Sequence, residues 1–149
     1  MRATILSLML AIIPSIWAAQ LSPTMEQPGD FVVIDSNGRI QFVGRFEADL
    51  TVFFRAYAEG RSERGRAPFV IGLFREGKIV DSSKGVLEYS ISEERIVFTF
   101  SPGVQDAGLS FLIHFDPSTE VSLGEATEGN IAGPKPVGTA HVRFKKKEA

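Results

Sequence analysis

The stretch VLEYSISEERIVFTFS, Val86–Ser101, decides how this chain is read. Two apolar-alternating runs, VLEYSIS and RIVFTFS, surround Glu93-Glu94. If those two glutamates form a tight turn, Ile91 faces Ile96, Tyr89 faces Phe98 and Leu87 faces Phe100. All three apolar pairs then fall on one side of the hairpin. That coincidence fixes the register, because a slip of one residue would throw every pair to the other face.

The same period of two runs outward in both directions. FVVID and IQFVG flank Ser36-Asn37-Gly38-Arg39, and Asn-Gly between alternating runs predicts a tight hairpin with both central residues at positive φ. Phe46, Leu50, Val52 and Phe54 alternate with Glu47, Asp49, Thr51 and Arg55, which reads as one long strand with a buried face. PFVIGLF opens at Pro68. LSFLIHF places Leu109, Phe111, Ile113 and Phe115 on one face, and TAHVRFK turns Ala140, Val142 and Phe144 inward. No part of residues 20–149 shows a helical period over three turns. The count of about nine short strands predicts a single all-β domain over residues 31–147. We read it as an antiparallel β-sandwich, with a small closed β-barrel as the alternative.

Two segments read as end loops. One is AEGRSERGRA, Ala58–Ala67. The other is GEATEGNIAGPKPVG, Gly124–Gly138, longer than strand connections usually run.

Composition limits the chemistry. The chain has 149 residues, 12 phenylalanines, no cysteine and a formal charge of -2. Near-neutral charge argues against a nucleic-acid partner. Residues 1–19 read as a signal peptide: Arg2, an apolar run Ile5–Trp17, then Ala18-Ala19. A polar leader, residues 20–30, follows. Cleavage would leave a mature chain with no transmembrane segment, placed in the periplasm or outside the cell. The lack of both cysteine and an Asn-x-Ser/Thr site points to a bacterial origin.

Several strings imitate active sites. GLFREGKI, Gly72–Ile79, has the spacing of a phosphate loop, but Ile79 stands where Ser or Thr must hold magnesium, and no helix follows. It reads instead as a hairpin turning at Glu76-Gly77, with Phe74 opposite Ile79 and Leu73 opposite Val80. Both faces beside that turn are apolar, so each requires cover. Ser110, His114 and Asp116 share a strand face, yet neighbours two apart lie about 6.6 Å from one another, too far for a nucleophile triad. His114 and His141, the only histidines, offer too few ligands for zinc. Asp116, Glu120, Glu125 and Glu128 follow no calcium-loop spacing. Lys145–Lys147 is a weak basic cluster that reads as a solvated strand end. No metal and no cofactor is expected.

The candidate ligand-binding residues are Arg61, Arg64 and Arg66 of the first loop, with Lys135 from the second. Guanidinium groups at one end of a rigid β-domain suit carboxylate, sulfate or phosphate. The functional expectation is therefore an exported, non-catalytic binding module for an anionic or protein partner. The alternatives are a hydrolase-type enzyme centred on His114 and Asp116, a structural subunit pairing through edge strands, and a barrel holding an apolar ligand inside.

Overall fold

The computed structural model describes residues 21–101, 108–129 and 132–147. The proposed signal peptide lies outside the described residues. The eight strands are β1 (Asp30–Ile34), β2 (Ile40–Phe46), β3 (Glu63–Arg75), β4 (Lys78–Ser92), β5 (Arg95–Ser101), β6 (Gly108–His114), β7 (Val121–Gly129) and β8 (Lys135–Arg143). Each pairs antiparallel with its sequence neighbours, and β1 also pairs with β8. The sheet is thus a closed up-and-down barrel. The barrel alternative holds and the sandwich does not, because the Phe31–Ile34 and Thr139–Val142 backbones bond to each other and leave no second sheet. Closure gives every strand two bonded neighbours, though among the described residues Lys78–Gly85 of β4 pairs with β3 alone.

The Val86–Ser101 hairpin has the register its sequence predicts: Leu87↔Phe100, Tyr89↔Phe98, Ile91↔Ile96. Glu93 and Glu94 turn with φ of 46° and 70°. The Asn37-Gly38 turn differs from expectation. Only Gly38 takes positive φ, 77°, in a three-residue loop, Ser36–Gly38, with a bulge between Val33 and Ile34. The Asp35 carboxylate organises it by accepting the N–H groups of Asn37 and Arg39, both at 2.9 Å.

The long strand expected through Phe46–Arg55 is broken. β2 ends at Phe46, and a helix, α1 (Thr51–Glu59), follows. The apolar residues Leu50, Phe53, Ala56 and Tyr57 fit a helical stripe as well as Phe46, Leu50, Val52 and Phe54 fit a strand. Capping decides between them. Asp49 accepts the Thr51 N–H at 3.0 Å and its hydroxyl at 2.6 Å, which satisfies the start. Gly60, left-handed at φ 63°, ends the helix, with Arg61 N–H bonded to the Ala56 carbonyl at 3.0 Å.

α1 lies across the end where β2 stops and β3 starts, and plugs it. Phe53 is fully buried among Phe46, Tyr89, Phe98 and Phe144, with ring centroids 4.9–6.4 Å apart. Phe54 and Tyr57 pack edge-on against Phe115. Further along the barrel axis, Phe31, Phe69, Phe100 and Phe111 fill the interior at 4.5–5.2 Å. Gly44 makes room for them: a Cβ there would stand 2.1 Å from the Phe31 ring. The barrel interior is a packed core, so an apolar ligand deep inside would have to displace phenylalanines.

A second, smaller cluster sits on the outer surface. Val43 and Val70 are covered by Leu21, Ile40, Phe74 and Ile79. Phe74 pairs with Ile79 as expected, but a register shift places Leu73 opposite Asp81 rather than Val80. Val80 is left half exposed, while Leu73 faces the barrel's open end. The residues before β1, read as a polar leader, run along the outside. Leu21 joins the cluster, and the Arg143 guanidinium holds the Met25 carbonyl and Glu120. Asp30, 1% exposed, pairs with Arg45 at 2.5 Å.

Candidate functional site

The two ends of the barrel differ. One holds α1. At the other, the ends of β1, β3 and β7 and the starts of β2, β4 and β8 surround a cup of about 610 Å³. That lies within the ~300–1,000 Å³ common for small-molecule sites, which often occupy barrel mouths. Phe42, Ile71, Leu73 and Val137 supply its apolar wall, and all four are partly buried. Asp35, Gln41, Arg75, Asp81, Glu128 and Lys135 supply its polar rim.

The rim is partly pre-ordered. Gln41 Nε2 donates to Asp35 Oδ2 at 2.7 Å, and Arg75 Nη1 donates to Gln41 Oε1 at 3.1 Å and to the Phe74 carbonyl at 2.8 Å. The turn that holds Asp35 therefore also orients Gln41 and, through it, Arg75. The Arg39 N–H, with further help from Asn37 and Gln41, holds the Asp35 carboxyl below its ordinary value. Glu128 and Lys135 stand directly opposite each other across β7 and β8.

Of the sequence-derived candidates, only Lys135 lines this mouth. Lys135 is there because the expected Gly124–Gly138 loop is mostly strand: β7 continues to Gly129 and β8 begins at Lys135. The Ala58–Ala67 segment is likewise short of loop. It comprises the helix end, a connection at 60–62 and the start of β3. Arg61 pairs with Glu59 beside a smaller recess of about 410 Å³ at the plugged end, lined also by Tyr57, Ile91 and Phe115. Arg64 and Arg66 project from the outer face of β3, where Arg66 pairs with Glu88 at 2.7 Å. The three arginines do not converge with Lys135, which stands at the other end of the barrel.

The other imitations resolve as ordinary surface. His114, exposed, is flanked in register by Arg95 and Leu123. Asp116 lies beyond the end of β6, where its carboxylate accepts the Ser118 hydroxyl at 2.6 Å and N–H at 2.9 Å. Those bonds, the hydroxyl first, lower its pKa. His141 is half-buried between Val32 and Leu123, and burial lowers its pKa. Among the described residues no group of three His, Asp or Glu side chains is placed to hold a metal. Lys145 turns back, donating to the Pro117 carbonyl with its ammonium 5.4 Å from the Phe54 ring centre.

The residues that sequence reasoning missed are Phe42, Ile71, Leu73, Val137, Gln41 and Arg75. Phe42, Ile71 and Leu73 read as strand interior, Val137 as part of the Gly124–Gly138 loop and Arg75 as the polar flank of a turn. No known protein family, curated protein or solved structure matches this chain. Among the described residues no helix is long and apolar enough to cross a membrane.

Proposed function

We propose that this protein is a binding module, not an enzyme, and that it takes a small ligand in the open mouth opposite α1. The observation that carries the reading is the cup itself: an apolar wall of four side chains beneath a rim on which Asp35, Gln41 and Arg75 are already hydrogen-bonded into position. Pre-ordered polar groups over apolar surface lower the ordering cost of binding. The partner is thus a small amphipathic molecule rather than a macromolecule held by end loops. Arg61, Arg64 and Arg66 serve the solubility of the helix end and outer wall in this account.

Naphthamide, an uncharged fused-ring probe, tests it by calorimetric titration. Leu73→Glu should abolish binding while leaving the far-ultraviolet circular dichroism unchanged. The triple change Arg61→Ala, Arg64→Ala, Arg66→Ala should leave binding as it is. Loss in the triple variant with retention in Leu73→Glu would move the site to the arginines.

The proposal also places the protein outside the cytoplasm of a bacterium, in periplasm or medium. Its support is the order of Arg2, the Ile5–Trp17 apolar run and Ala18-Ala19. Intact mass of the exported protein should begin at Gln20. The single tryptophan, Trp17, should be lost with the leader, leaving no tryptophan fluorescence. Exported protein that retains Met1 would refute cleavage.

A further inference from the structure

The mouth reading does not by itself fix the ligand's charge. Resting on that reading, we infer that the ligand carries a carboxylate or a similar planar anion, and that Arg75 receives it.

Arg75 ends β3 at the rim of the cup. Its Nη1 carries two hydrogens, and two acceptors are in reach: Gln41 Oε1 and the Phe74 carbonyl. The guanidinium is thereby held through one nitrogen. Behind Gln41 stands Asp35, itself fixed by the Asn37 and Arg39 backbone. The order of the chain, from turn to carboxylate to amide to guanidinium, leaves Nε and Nη2 outside these bonds. Those two nitrogens form one edge of the plane, a parallel pair of donors that matches the two oxygens of a carboxylate. An arginine that only stapled the β1–β2 and β3–β4 hairpins together would need no such free edge.

The nearby acids do not take it. Asp81 and Glu128 line the same cup, yet among the described residues no carboxylate stands within ion-pair distance of Arg75. Glu128 faces Lys135 across the β7–β8 ladder, so those two charges offset each other locally. Asp81 is the register partner of Leu73 and Asp35 is engaged by three donors. Arg75 is thus the rim cation with an orientation set by the fold and donors left over. Ile71 and Leu73, four and two residues before it on the same strand, join Phe42 and Val137 as the apolar wall for the rest of the molecule. An aryl or short-chain carboxylic acid has that combination of parts.

The test uses naphthoate and naphthamide, which share a ring and a shape and differ in charge. The wild-type protein should bind naphthoate about tenfold more tightly, the worth of a charge-assisted pair at a partly wet site. Arg75→Gln should remove that advantage, weakening naphthoate about tenfold and naphthamide by less than about twofold. Arg75→Lys, which keeps the charge but not the fork, should restore only part of it. Gln41→Leu, which removes the support, should cost naphthoate several-fold and naphthamide less. Equal binding of both probes, unchanged by Arg75→Gln, would overturn the anion inference and leave the mouth reading intact. Binding of neither probe, or binding that persists in Leu73→Glu, would overturn the mouth reading and this inference with it.

Discussion

The two ends of this barrel are made of similar strands and finished in opposite ways. At one end the chain leaves β2 for a nine-residue helix, and Phe53 drops from it into a nest of four aromatic rings. At the other, among the described residues, the β1–β2 and β3–β4 connections are tight turns and nothing is laid across them. The apolar residues there, Phe42, Ile71, Leu73 and Val137, stay partly exposed, and Asp35, Gln41 and Arg75 bond to one another. The difference teaches where stability and function separate. The plugged end is where buried apolar area accumulates, and the open end is where such area is left for something else to cover.

The comparison can be broken by mutation. Phe53→Ala should cost about 3–5 kcal/mol, because it empties a fully buried site that surrounding rings cannot collapse into. Phe42→Ala at the mouth should cost less than about half of that, since its side chain already meets solvent. Equal losses in urea denaturation would mean that the mouth is as much core as the plug. Asp30→Ala, on the outer wall, should cost about 3 kcal/mol by taking its carboxylate from the partly buried Arg45 guanidinium.

Turn chemistry gives smaller, signed effects. Glu93 and Glu94, at the plugged end, both occupy the left-handed region without being glycine, at φ 46° and 70°. The double change Glu93→Asn, Glu94→Gly should stabilise the protein by about 1 kcal/mol. The matching turn at the mouth, Glu76-Gly77, already has glycine at its second position, so Glu76→Asn should gain only about a few tenths of a kcal/mol. A larger gain at the mouth turn would show that strain is not where the dihedral angles put it.

Acid should act through carboxylates at both ends. Asp35 at the mouth, held by the Arg39 N–H, and Asp49 and Asp116 at the plugged end, held by the Thr51 and Ser118 hydroxyls, all have pKa values lowered from 3.8. A lowered folded-state pKa means that the unfolded chain binds the proton first. The stability these groups contribute is present above 3.8 and is lost as pH falls through their folded values. His141, lowered from 6.5 by burial, follows the same sign: its contribution is present above 6.5 and is lost as pH falls through its folded value. His141→Gln should flatten the stability profile just below pH 6.5 and leave the acid limb unchanged, as melting curves across pH would show.

The parts of this molecule legible in its sequence are the local ones. The Leu87–Phe100 register could be read because three apolar pairs agree on it, and the Phe74↔Ile79 pair because a two-residue turn admits it. The helix was illegible by period, since Phe46–Tyr57 satisfies both periods. Its signals were the ends, Asp49 and Gly60. Closure was illegible because it rests on β1 pairing with β8, far apart in the chain, through backbone groups that every residue has. The mouth fails for the same reason: its lining runs from Asp35 to Val137. Lys135 was found as a loop cation, while Arg61, Arg64 and Arg66, close together in sequence, were scattered by the turn after Gly60 and by the outward face of β3.

The most direct measurement is a two-dimensional amide NMR titration of the protein with naphthoate. Resonances of Phe42, Ile71, Leu73, Arg75 and Val137 should shift together along one saturating curve, while Tyr57, Arg61, Ile91 and Phe115 at the plugged end stay still. Shifts centred on the plugged end, or on Arg64 and Arg66 of the outer wall, would contradict the assignment of the open end as the binding site.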